Sequence, residues 1–585
     1  MYPGLLLSTP APHASRFTPH ASRTYIYPMD NYFIAEQFSM LSKLMEIHGE
    51  NSFKTKAYSI TAFNIEKLPI QLTDIEPEKI FAIKGIGEST GKKIIEIINK
   101  GSLKALEDLV LKTPPGVLEM LSIKGLGPKK IAIIWKEMEI ESPGELLYAC
   151  NENRLSRYKG FGQKTQESIK SSIEFYMQHQ GSHLYAQIEA YAYELDKIFK
   201  KAFPKEKFEI TGQVKMQSPV VEKVEWVTSV PVKKLQAFFN EHKYTEEEVL
   251  TGSVQYRTPE KVLIEFYSRA DEVFYQTLFE TSSSQEFLME WNKSNRNDPA
   301  TVNSLEDIFA SRQVHPIPAF LREKPAVIGR AKKQKFDDLI QPEDIKAIIH
   351  SHSDWSDGSN TVEQMANACI ERGYEYLVIS DHSKSAAYAN GLLEERVKQQ
   401  HIYIDELNKK LSPFKIFKSI ESDILGDGSL DYSDDLLSTF DLVIASVHSN
   451  IKMQEEKAMA RLLKAIRNPH TTILGHMTAR LLLSRPGYPL DHKKIIEACA
   501  QHKVVIEINA NPRRLDMDWY WIDYALDKGV LVSIDPDAHD ISEFDNCRYG
   551  VLAAQKGGVK KENNLSSFSL KEFEKVISSF KRLQR

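Results

Sequence analysis

The sequence predicts a multidomain protein of mixed α+β and α/β class, with a helical amino-terminal region and a carboxy-terminal (β/α) barrel. Three observations lead to this fold class. The chain has 585 residues, too many for one hydrophobic core, which indicates three or four domains. Three glycine-rich turns, each ahead of an amphipathic helix, lie in the first half. In the second half, strand-like apolar runs alternate with helical stretches, as in barrels of parallel strands.

The composition is that of a soluble globular protein and excludes two other classes. Hydrophobic residues make up 42% of the chain and charged residues 26%. No apolar run is long enough to cross a bilayer, so a membrane protein is excluded. The cysteines are scattered, which argues against a disulfide framework or a zinc ribbon and fits a reducing cytoplasm: Cys150, Cys369, Cys499 and Cys547. Because the net charge is −5, any contact with nucleic acid must come from a local basic face.

Residues 1–28 differ from the rest of the chain. Residues 12–16 and 19–23 both have the sequence Pro-His-Ala-Ser-Arg, and the segment lacks apolar periodicity. The run Leu5-Leu6-Leu7 is too short for the core of a signal peptide. We expect either a disordered tail or translated upstream sequence with the true start at Met29.

Three segments in the first half share one design. Residues 83–95, 123–131 and 158–165 each place a Gly-apolar-Gly turn ahead of a helix that carries lysine near its start. The glycines let the backbone approach a ligand closely, and the helix start offers unpaired N–H groups to a phosphate. A plain connection in which glycine only ends a helix is the alternative. Three copies favour helix-hairpin-helix motifs, which hold a nucleic-acid backbone without reading its bases. The candidate DNA contacts are Gly85, Gly87, Lys93, Gly125, Gly127, Lys129, Lys130, Gly160, Gly162 and Lys164.

Residues 30 to about 180 resemble the amino-terminal domain of bacterial family X DNA polymerases. The segment Gly49-Glu50-Asn51-Ser52-Phe53-Lys54 matches the phosphate-binding segment of that family, which adds Lys54 and Lys56 to the candidate contacts. The resemblance implies a DNA-binding domain with the first hairpin in residues 29–105 and two further hairpins in residues 106–182. In members with lyase activity a lysine at the place of Lys93 forms a Schiff base with an abasic sugar. That role requires a depressed pKa, and we favour a solvated phosphate contact for Lys93.

The resemblance continues through residues 183–323, where the polymerase palm and thumb are expected, but the catalytic aspartates are replaced. Lys223 and Glu225 occupy two of the three aspartate positions, and the alignment places Leu263 at the third, with a slip to Glu265 as the alternative. Nucleotidyl transfer needs carboxylates that clamp two divalent ions. A lysine at the first position puts positive charge where a cation should bind, so we expect no templated polymerisation. Residues 324–343, rich in Lys, Ala and Pro, are expected to form a linker.

Residues 349–358 read Ile-His-Ser-His-Ser-Asp-Trp-Ser-Asp-Gly and contain the pair His350 and His352. On a strand, residues two apart point to the same face, so both imidazoles would aim at one spot and suit a transition metal. Two unrelated histidines at a strand end are the alternative. Later strand-like runs decide between them, because nearly all end in residues of ligand type, and their carboxyl ends meet at one face of a barrel.

This second half resembles the polymerase and histidinol phosphatase (PHP) domain, a distorted (β/α)7-type barrel, in residues 344–585. The resemblance implies a cluster of two or three ions, Mn²⁺ or Zn²⁺, and hydrolysis by metal-bound water, with no separate catalytic residue. It implies these nine metal ligands: His350, His352, Asp357, His382, Glu421, His448, His476, Asp537 and His539. The family commonly has an acidic residue at the place of Ile348, so one histidine is expected to lose a supporting partner.

Three basic residues lie just beyond ligand positions or strand ends. Lys384, Arg480 and Arg514 could clamp a substrate phosphate, with a solvated barrel rim as the alternative. Asn509 and Asn511 follow another strand-like run and are candidates to line the same pocket.

These observations favour a DNA-repair enzyme, a metal-dependent 3′–5′ exonuclease or 3′-end-processing phosphoesterase that the hairpins bring to gapped DNA or to a 3′ end. We expect it in the bacterial cytoplasm at the nucleoid, without a membrane or an obligate protein partner. The alternatives are a DNA-end scaffold with a sluggish barrel, a phosphatase of the histidinol-phosphate type, which would leave the hairpins unexplained, and a competent DNA polymerase, which the palm residues oppose.

Overall fold

The computed structural model describes residues 29–583, apart from residues 84, 152–154, 157, 179–180, 251, 294–301, 452 and 484–485. The tail predicted for residues 1–28 lies outside the described residues. The chain divides into two compact units, Met1–Gly181 and Ser182–Arg585. None of the helices in the described residues has both the length and the apolar character that crossing a membrane requires.

The described part of the amino-terminal unit is helical. Its first helix follows Asp30, whose side chain accepts a hydrogen bond from the Phe33 N–H at 2.8 Å, and ends at Gly49 in the left-handed region, with φ 74°. Residues at helical spacing on this helix, including Phe38 and Leu41, are buried in the core of the unit. The helices are α1 Asn31–His48, α2 Ser52–Glu66, α3 Pro77–Ile80, α4 Glu88–Lys100, α5 Lys104–Leu111, α6 Pro115–Met120, α7 Pro128–Lys136, α8 Pro143–Asn151 and α9 Gln163–Gln178.

The three glycine turns share one backbone geometry. The first glycine of each turn has left-handed φ: Gly85 (91°), Gly125 (87°) and Gly160 (94°). The apolar residue between the two glycines is buried in each case: Ile86, Leu126 and Phe161. The helices α4, α7 and α9 begin directly after the second glycine. Each turn therefore anchors itself through one apolar side chain and leaves the glycines and the start of a helix exposed.

The carboxy-terminal unit begins with a five-stranded sheet of order β2-β4-β7-β6-β5, in which only β4 and β7 are parallel. A two-stranded antiparallel sheet joins β1 to β3. The strands are β1 His183–Leu184, β2 Phe208–Thr211, β3 Val220–Val221, β4 Val224–Thr228, β5 Thr245–Leu250, β6 Ser253–Arg257 and β7 Leu263–Ser268. The helices are α10 Tyr185–Ala202, α11 Gly212–Lys215, α12 Val232–Glu241, α13 Phe274–Thr281, α14 Gln285–Lys293, α15 Leu305–Ala310 and α16 Ala326–Ala331. Aromatic residues such as Phe199, Trp226 and Phe266 fill the core of the larger sheet.

Residues 324–343, predicted as a linker, are packed rather than extended. They contain α16, and Val327, Phe336 and Leu339 join one buried cluster with Phe279 and Trp291. The lysines that suggested a linker alternate with these apolar anchors. The segment therefore closes the core of the preceding region instead of separating two domains.

Seven parallel strands then form a barrel in which every strand pairs with the next one along the chain. A single bridge between Ser351 and Ala538, just beyond the first and last strands, nearly closes it. The strands are β8 Ala347–Ile348, β9 Tyr376–Ile379, β10 Lys415–Asp423, β11 Leu442–Ser446, β12 Ile473–Leu474, β13 Val505–Asn509 and β14 Val532–Asp535. The helices are α17 Val362–Glu371, α18 Glu394–Leu411, α19 Asp434–Leu437, α20 Glu455–Ile466, α21 His492–His502, α22 Trp519–Asp527, α23 Cys547–Lys556 and α24 Leu570–Leu583. The predicted seven-stranded α/β barrel is confirmed.

Alternate residues of the barrel strands face different surroundings. Leu377 and Ile379 of β9 pack with the surrounding helices, whereas Tyr376 and Val378 join a second cluster built from the other strand faces. Helix α24 contributes Phe573 to this second cluster, 4.4 Å from the Tyr376 ring and 4.8 Å from the Phe417 ring between centroids. The final helix therefore packs against these strand faces through Phe573.

Replacement of this interior residue, Phe573→Ala, should destabilise the barrel by about 3–5 kcal/mol, because a large aromatic side chain is removed from a packed core. Thermal and urea unfolding followed by near-ultraviolet circular dichroism would measure the change. Ile402→Ala, at a residue of α18 that is 61% exposed, is the control and should leave the midpoints unchanged. Equal unfolding midpoints for Phe573→Ala and the wild type would contradict this packing.

Candidate metal centre and nucleic-acid contacts

The pair His350 and His352 lies just beyond a strand rather than on one. Strand β8 ends at Ile348, and His350 has left-handed φ of 58°, so the alternation expected of a strand does not hold here. The segment is instead held by its neighbour across the closing bridge: the His352 N–H donates to the Ala538 carbonyl at 2.8 Å. The two imidazoles still converge, with ring centroids 5.3 Å apart.

The other predicted ligands stand at the carboxyl ends of successive strands. Glu421 lies near the end of β10. His448 follows the end of β11 by two residues, and His476 follows the end of β12 by two residues. Asp537 and His539 follow β14, and Asp537 also has left-handed φ of 51°. Parallel strands bring these ends to one edge of the barrel. The edge therefore gathers side chains that are far apart in the sequence.

Eight of the nine predicted ligands fall into three overlapping groups in which the candidate ligand atoms lie within 4.8 Å of one another. The groups are His352, Asp357, His382 and His539; His350, His352 and Asp537; and His382, Glu421 and His448. The ninth, His476, points its Nε2 at Glu421 Oε1, 2.9 Å away. The structure thus brings all nine residues to one pocket.

Glu421 is the centre of this pocket, and its side chain is fully buried. Imidazole nitrogens of five histidines lie within 4 Å of its two oxygens: His382 at 2.9 Å, His476 at 2.9 Å, His448 at 3.1 Å, His350 at 3.3 Å and His352 at 3.7 Å. A carboxylate has two oxygens and can bridge two cations. Glu421 is therefore placed to serve more than one ion.

The imidazoles of this pocket differ in their proton affinity. Burial, together with the neighbouring imidazoles of His539 and His382, lowers the pKa of His352 to about 3. Burial acts in the same direction on His350, but the carboxylates around it, Glu507 first among them, raise its pKa well above the ordinary value. The pKa values of these two imidazoles therefore differ because carboxylates offset the effect of burial at His350 but not at His352.

The donor set fits divalent transition metals. Neutral imidazole nitrogens and carboxylate oxygens are the ligands that Zn²⁺ and Mn²⁺ share. The Nε2 atom of His350 and the Oε2 atom of Glu421 are buried and have no hydrogen-bond partner among the described residues. Buried polar atoms are almost always paired in native proteins, so these two atoms fit a site that holds cations.

Two carboxylates that the sequence analysis did not assign stand behind the predicted ligands. Glu507, within β13, is hydrogen-bonded to His350 Nδ1 and also accepts from the His476 N–H at 2.6 Å. Asp423 accepts from His448 Nδ1 at 2.6 Å. Such partners fix the orientation of a ligating imidazole. Glu507 thus supplies the acidic partner that the family commonly has at the place of Ile348. Its only signal in the sequence is that it is a lone carboxylate inside the apolar run 504–508.

The residues predicted to bind phosphate or to line the pocket lie in different environments. Arg514 points at the pocket, with Nε 3.5 Å from Asp537 Oδ2, and its buried NH1 has no hydrogen-bond partner among the described residues. Lys384 is partly exposed at the rim and pairs with Glu394 at 3.4 Å. Asn509 donates to Asp537 at 3.0 Å and so does line the pocket.

Arg480 does not fit the predicted phosphate clamp. Its Nε donates to the Arg514 carbonyl at 2.9 Å, its NH2 donates to the Leu515 carbonyl, and its NH1 pairs with Asp518. Asn511 likewise bonds within this segment, since its carbonyl accepts from the Arg514 N–H at 2.7 Å. Arg480 therefore holds the loop of residues 511–518, which we call the Arg514 loop.

The palm residues form a closed network of charges. Strands β4 and β7 pair with Glu225 opposite Glu265, and Lys223 Nζ lies 3.1 Å from the first carboxylate and 2.5 Å from the second. Glu265, the alternative third position, is the residue that meets Lys223, whereas Leu263 starts β7 two residues earlier. Although burial acts against its charge, Glu225 and Glu265 raise the pKa of Lys223. The ammonium fills the space between the two carboxylates.

In the amino-terminal unit the predicted DNA contacts lie at the exposed turns. All six glycines of the turns are exposed, as are Lys54, Lys56, Lys129 and Lys164. Lys93 is partly buried, with Nζ 5.9 Å from the Tyr58 ring centroid. Lys130 donates to the Gly125 carbonyl at 3.0 Å, so it also stabilises its own turn. These exposed N–H groups and lysines suit phosphates.

Comparison with known proteins gives the chain a family. Residues 29–103 match the family model of a helix-hairpin-helix domain, residues 117–174 that of a SAM-like helix-hairpin-helix tandem, and residues 349–511 that of the PHP domain. The chain is 31% identical over 568 residues to DNA polymerase/3′-5′ exonuclease PolX of Bacillus subtilis (strain 168), which covers 91% of this chain and 96% of that protein. The chain belongs to the PolX family.

Relatives of the PHP domain alone are also found. Probable phosphatase TTE1963 of Caldanaerobacter subterraneus subsp. tengcongensis is 28% identical over 203 residues, covering 32% of this chain and 74% of that protein. Probable phosphatase Teth514_1060 of Thermoanaerobacter sp. (strain X514) is 25% identical over 221 residues, covering 34% and 84%. The predicted family, the hairpin domains and the PHP barrel are confirmed. Hairpin domains in a PolX protein indicate that the chain binds DNA.

Replacement of the supporting carboxylate, Glu507→Gln, should weaken binding of Mn²⁺ by about 10- to 100-fold, because His350 loses the charged acceptor that orients it. Competition with a fluorescent chelator would measure the affinity. The matched control is Glu497→Gln. Glu497 lies on the exposed surface of α21, where it accepts a hydrogen bond from Lys528. Equal affinities in the wild type and Glu507→Gln would rule out the supporting role.

Proposed function

We propose that this PolX protein is a divalent-metal-dependent phosphoesterase that removes nucleotides from DNA 3′ ends through its PHP domain. The observation that carries the proposal is the convergence of nine donor residues on one pocket around Glu421. The Bacillus subtilis relative has a 3′-5′ exonuclease in its name, and relatives of the barrel alone are named as probable phosphatases. Both names describe hydrolysis of phosphate esters.

We assign the metal ligands to the nine predicted residues, which supply enough donors for two or three ions of the Mn²⁺ or Zn²⁺ type. When bound, such ions would supply the Lewis acid that activates water and neutralises charge on the phosphate and the leaving oxygen. The ligands are His350, His352, Asp357, His382, Glu421, His448, His476, Asp537 and His539.

Side chains around the ligands do the positioning. Glu507 and Asp423 hold the imidazoles of His350 and His448 in one orientation. Asp381, fully buried, accepts from the Ser353 N–H at 2.8 Å and from the Ser353 hydroxyl at 2.6 Å, which fixes the turn that follows His352. Arg514 is the residue best placed to orient a substrate phosphate, because its guanidinium lies beside Asp537 and keeps one nitrogen unpaired. Lys384 is a second candidate at the rim.

We further propose that the palm does not polymerise. Two buried carboxylates remain there, but Lys223 is already paired with both of them, so a divalent ion would have to displace an ammonium. The turn at Gly212 is also filled: the Gln213 N–H donates to Glu225 at 3.4 Å, and a Cβ at Gly212, with φ 59°, would collide with the same carboxylate. The site has become a self-contained salt bridge.

The hairpins then serve to deliver DNA. Their exposed glycines, helix starts and lysines can hold phosphates of either strand without sequence preference. We propose gapped DNA or a free 3′ end as the substrate, acted on at the bacterial nucleoid in the cytoplasm. Lys93 lies against Tyr58, and we retain the phosphate contact as its role rather than a Schiff base.

The nuclease proposal is tested with an oligonucleotide labelled at its 5′ end and Mn²⁺. The wild type should produce a ladder of shortened labelled products, and His350→Ala should reduce the rate by more than about a hundredfold, since loss of a supporting residue alone costs up to that much. His502→Ala, at an exposed residue at the end of α21, is the control and should act like the wild type.

Two outcomes would contradict the nuclease proposal. Release of a labelled mononucleotide as the first product would show attack from the 5′ end. Turnover of a small phosphate monoester, without any action on the oligonucleotide, would make the protein a small-molecule phosphatase.

The palm proposal is tested with a primer–template, all four deoxynucleoside triphosphates and Mn²⁺. His350→Ala should be used here so that degradation does not mask synthesis. We expect no primer extension, because Lys223 occupies the place between the carboxylates. Templated extension would show that Glu225 and Glu265 still bind catalytic ions.

A further inference from the structure

Lys556 in α23 is a buried cation that the proposed chemistry does not use. Its side chain is fully buried, and its Nζ donates to the Met216 carbonyl at 2.6 Å and to Glu323 at 2.8 Å. It also lies over the Trp519 ring, 4.7 Å from the centroid. Burial of an ammonium is costly unless its partners are well placed. Both oxygen partners come from the palm and thumb region, so Lys556 ties that region to the barrel.

Helix α23 makes a second tie to the palm. Arg548 donates from both terminal nitrogens to Glu189 of α10, at 2.7 and 2.5 Å. Paired contacts of this kind fix orientation as well as distance. The palm is therefore attached to the barrel along one helix, at two charged points eight residues apart in the sequence.

The palm segment that Lys556 holds reaches the Arg514 loop. Gln217 and Pro219, directly after Met216, line a narrow crevice together with Pro512 and Leu515 of that loop. Leu515, which faces this crevice, is buried, with 6% of its surface exposed. On its other side, the loop is bonded to Arg480. The Arg514 loop is thus bonded to a barrel residue and shares a narrow crevice with the palm segment.

We propose that the palm acts as a buttress of the phosphoesterase site: the segment 216–219, held by Lys556, fixes the Arg514 loop so that Arg514 faces the substrate phosphate. This inference rests on the proposed function, in which Arg514 orients that phosphate. It assigns Lys556 and Pro219 as positioning residues and gives the palm a role that needs neither nucleotides nor metal ions of its own.

A double-mutant cycle in the full chain tests the buttress. The variants are Lys556→Met, which keeps the volume and removes the donors, Arg514→Ala, and the two combined. KM and kcat are measured for cleavage of a single-stranded oligonucleotide with Mn²⁺, and metal content is measured for each variant. Lys556→Met should raise KM by about tenfold, within the range of coupling between residues in one network. It should leave the metal content unchanged. In the combined variant, KM should be no higher than in Arg514→Ala alone.

Two further variants keep the test interpretable. Pro219→Ala leaves the buried charge intact and should raise KM in the same direction by a smaller factor, again only when Arg514 is present. Lys560→Met is the matched control, because Lys560 pairs with Asp338 and contacts neither Met216 nor the Arg514 loop in the described structure. It should behave like the wild type.

The outcomes separate the buttress from the proposed function. If the wild type cleaves DNA and the effects of Lys556→Met and Arg514→Ala multiply independently, the buttress is wrong and the nuclease stands. If the wild type does not cleave DNA, the nuclease is wrong, and binding of inorganic phosphate to the Mn²⁺-loaded protein, measured by calorimetry, decides the buttress. Phosphate affinity should then fall in Lys556→Met only while Arg514 is present. An unchanged affinity, or no phosphate binding by the wild type, would overturn the buttress.

Discussion

One fully buried carboxylate, Glu421, is surrounded by the imidazoles of five histidines. The rest of the barrel depends on how the charge of this carboxylate is compensated. Asp537 is also buried in this pocket. Buried charges are expensive unless compensated. The parallel strands solve the geometric part of the problem, because their carboxyl ends deliver donors from distant sequence positions to one edge. Divalent ions bound among these donors would solve the electrostatic part.

The pocket also shows how proton and metal compete. Burial works against protonation of His448, but Glu421 and Asp423 raise its pKa to about 10. Burial works against ionisation of Glu421, yet His448 and its neighbours hold the pKa of that carboxyl well below its ordinary range. In this state imidazolium and carboxylate neutralise each other. A cation bound here would take over the role of those protons, so we expect metal binding to release protons.

The sequence was sufficient for the family and the barrel, and it brought the nine predicted ligands together because nearly all of them follow strand-like runs, whose ends converge in a barrel. It was insufficient where only three-dimensional pairing identifies the partner. Glu507 sits inside an apolar run, and only the pairing of β13 shows it behind His350. The pairing of β4 with β7 places Glu265, rather than Leu263, beside Glu225 and Lys223. Arg480 has the residue type of a phosphate ligand, but the carbonyls of the Arg514 loop use its nitrogens. The left-handed backbone at His350 breaks the strand alternation and still brings the two rings together.

The most direct test of the central claim is the location of metal ions in crystals of the protein grown with Mn²⁺. Data collected on either side of the manganese absorption edge give anomalous difference peaks at the ions alone. The account predicts at least two peaks in one pocket, one on each side of Glu421, with ligand distances of about 2.0–2.2 Å to imidazole nitrogens and carboxylate oxygens. A pocket without peaks, or manganese bound instead between Glu225 and Glu265, would contradict it.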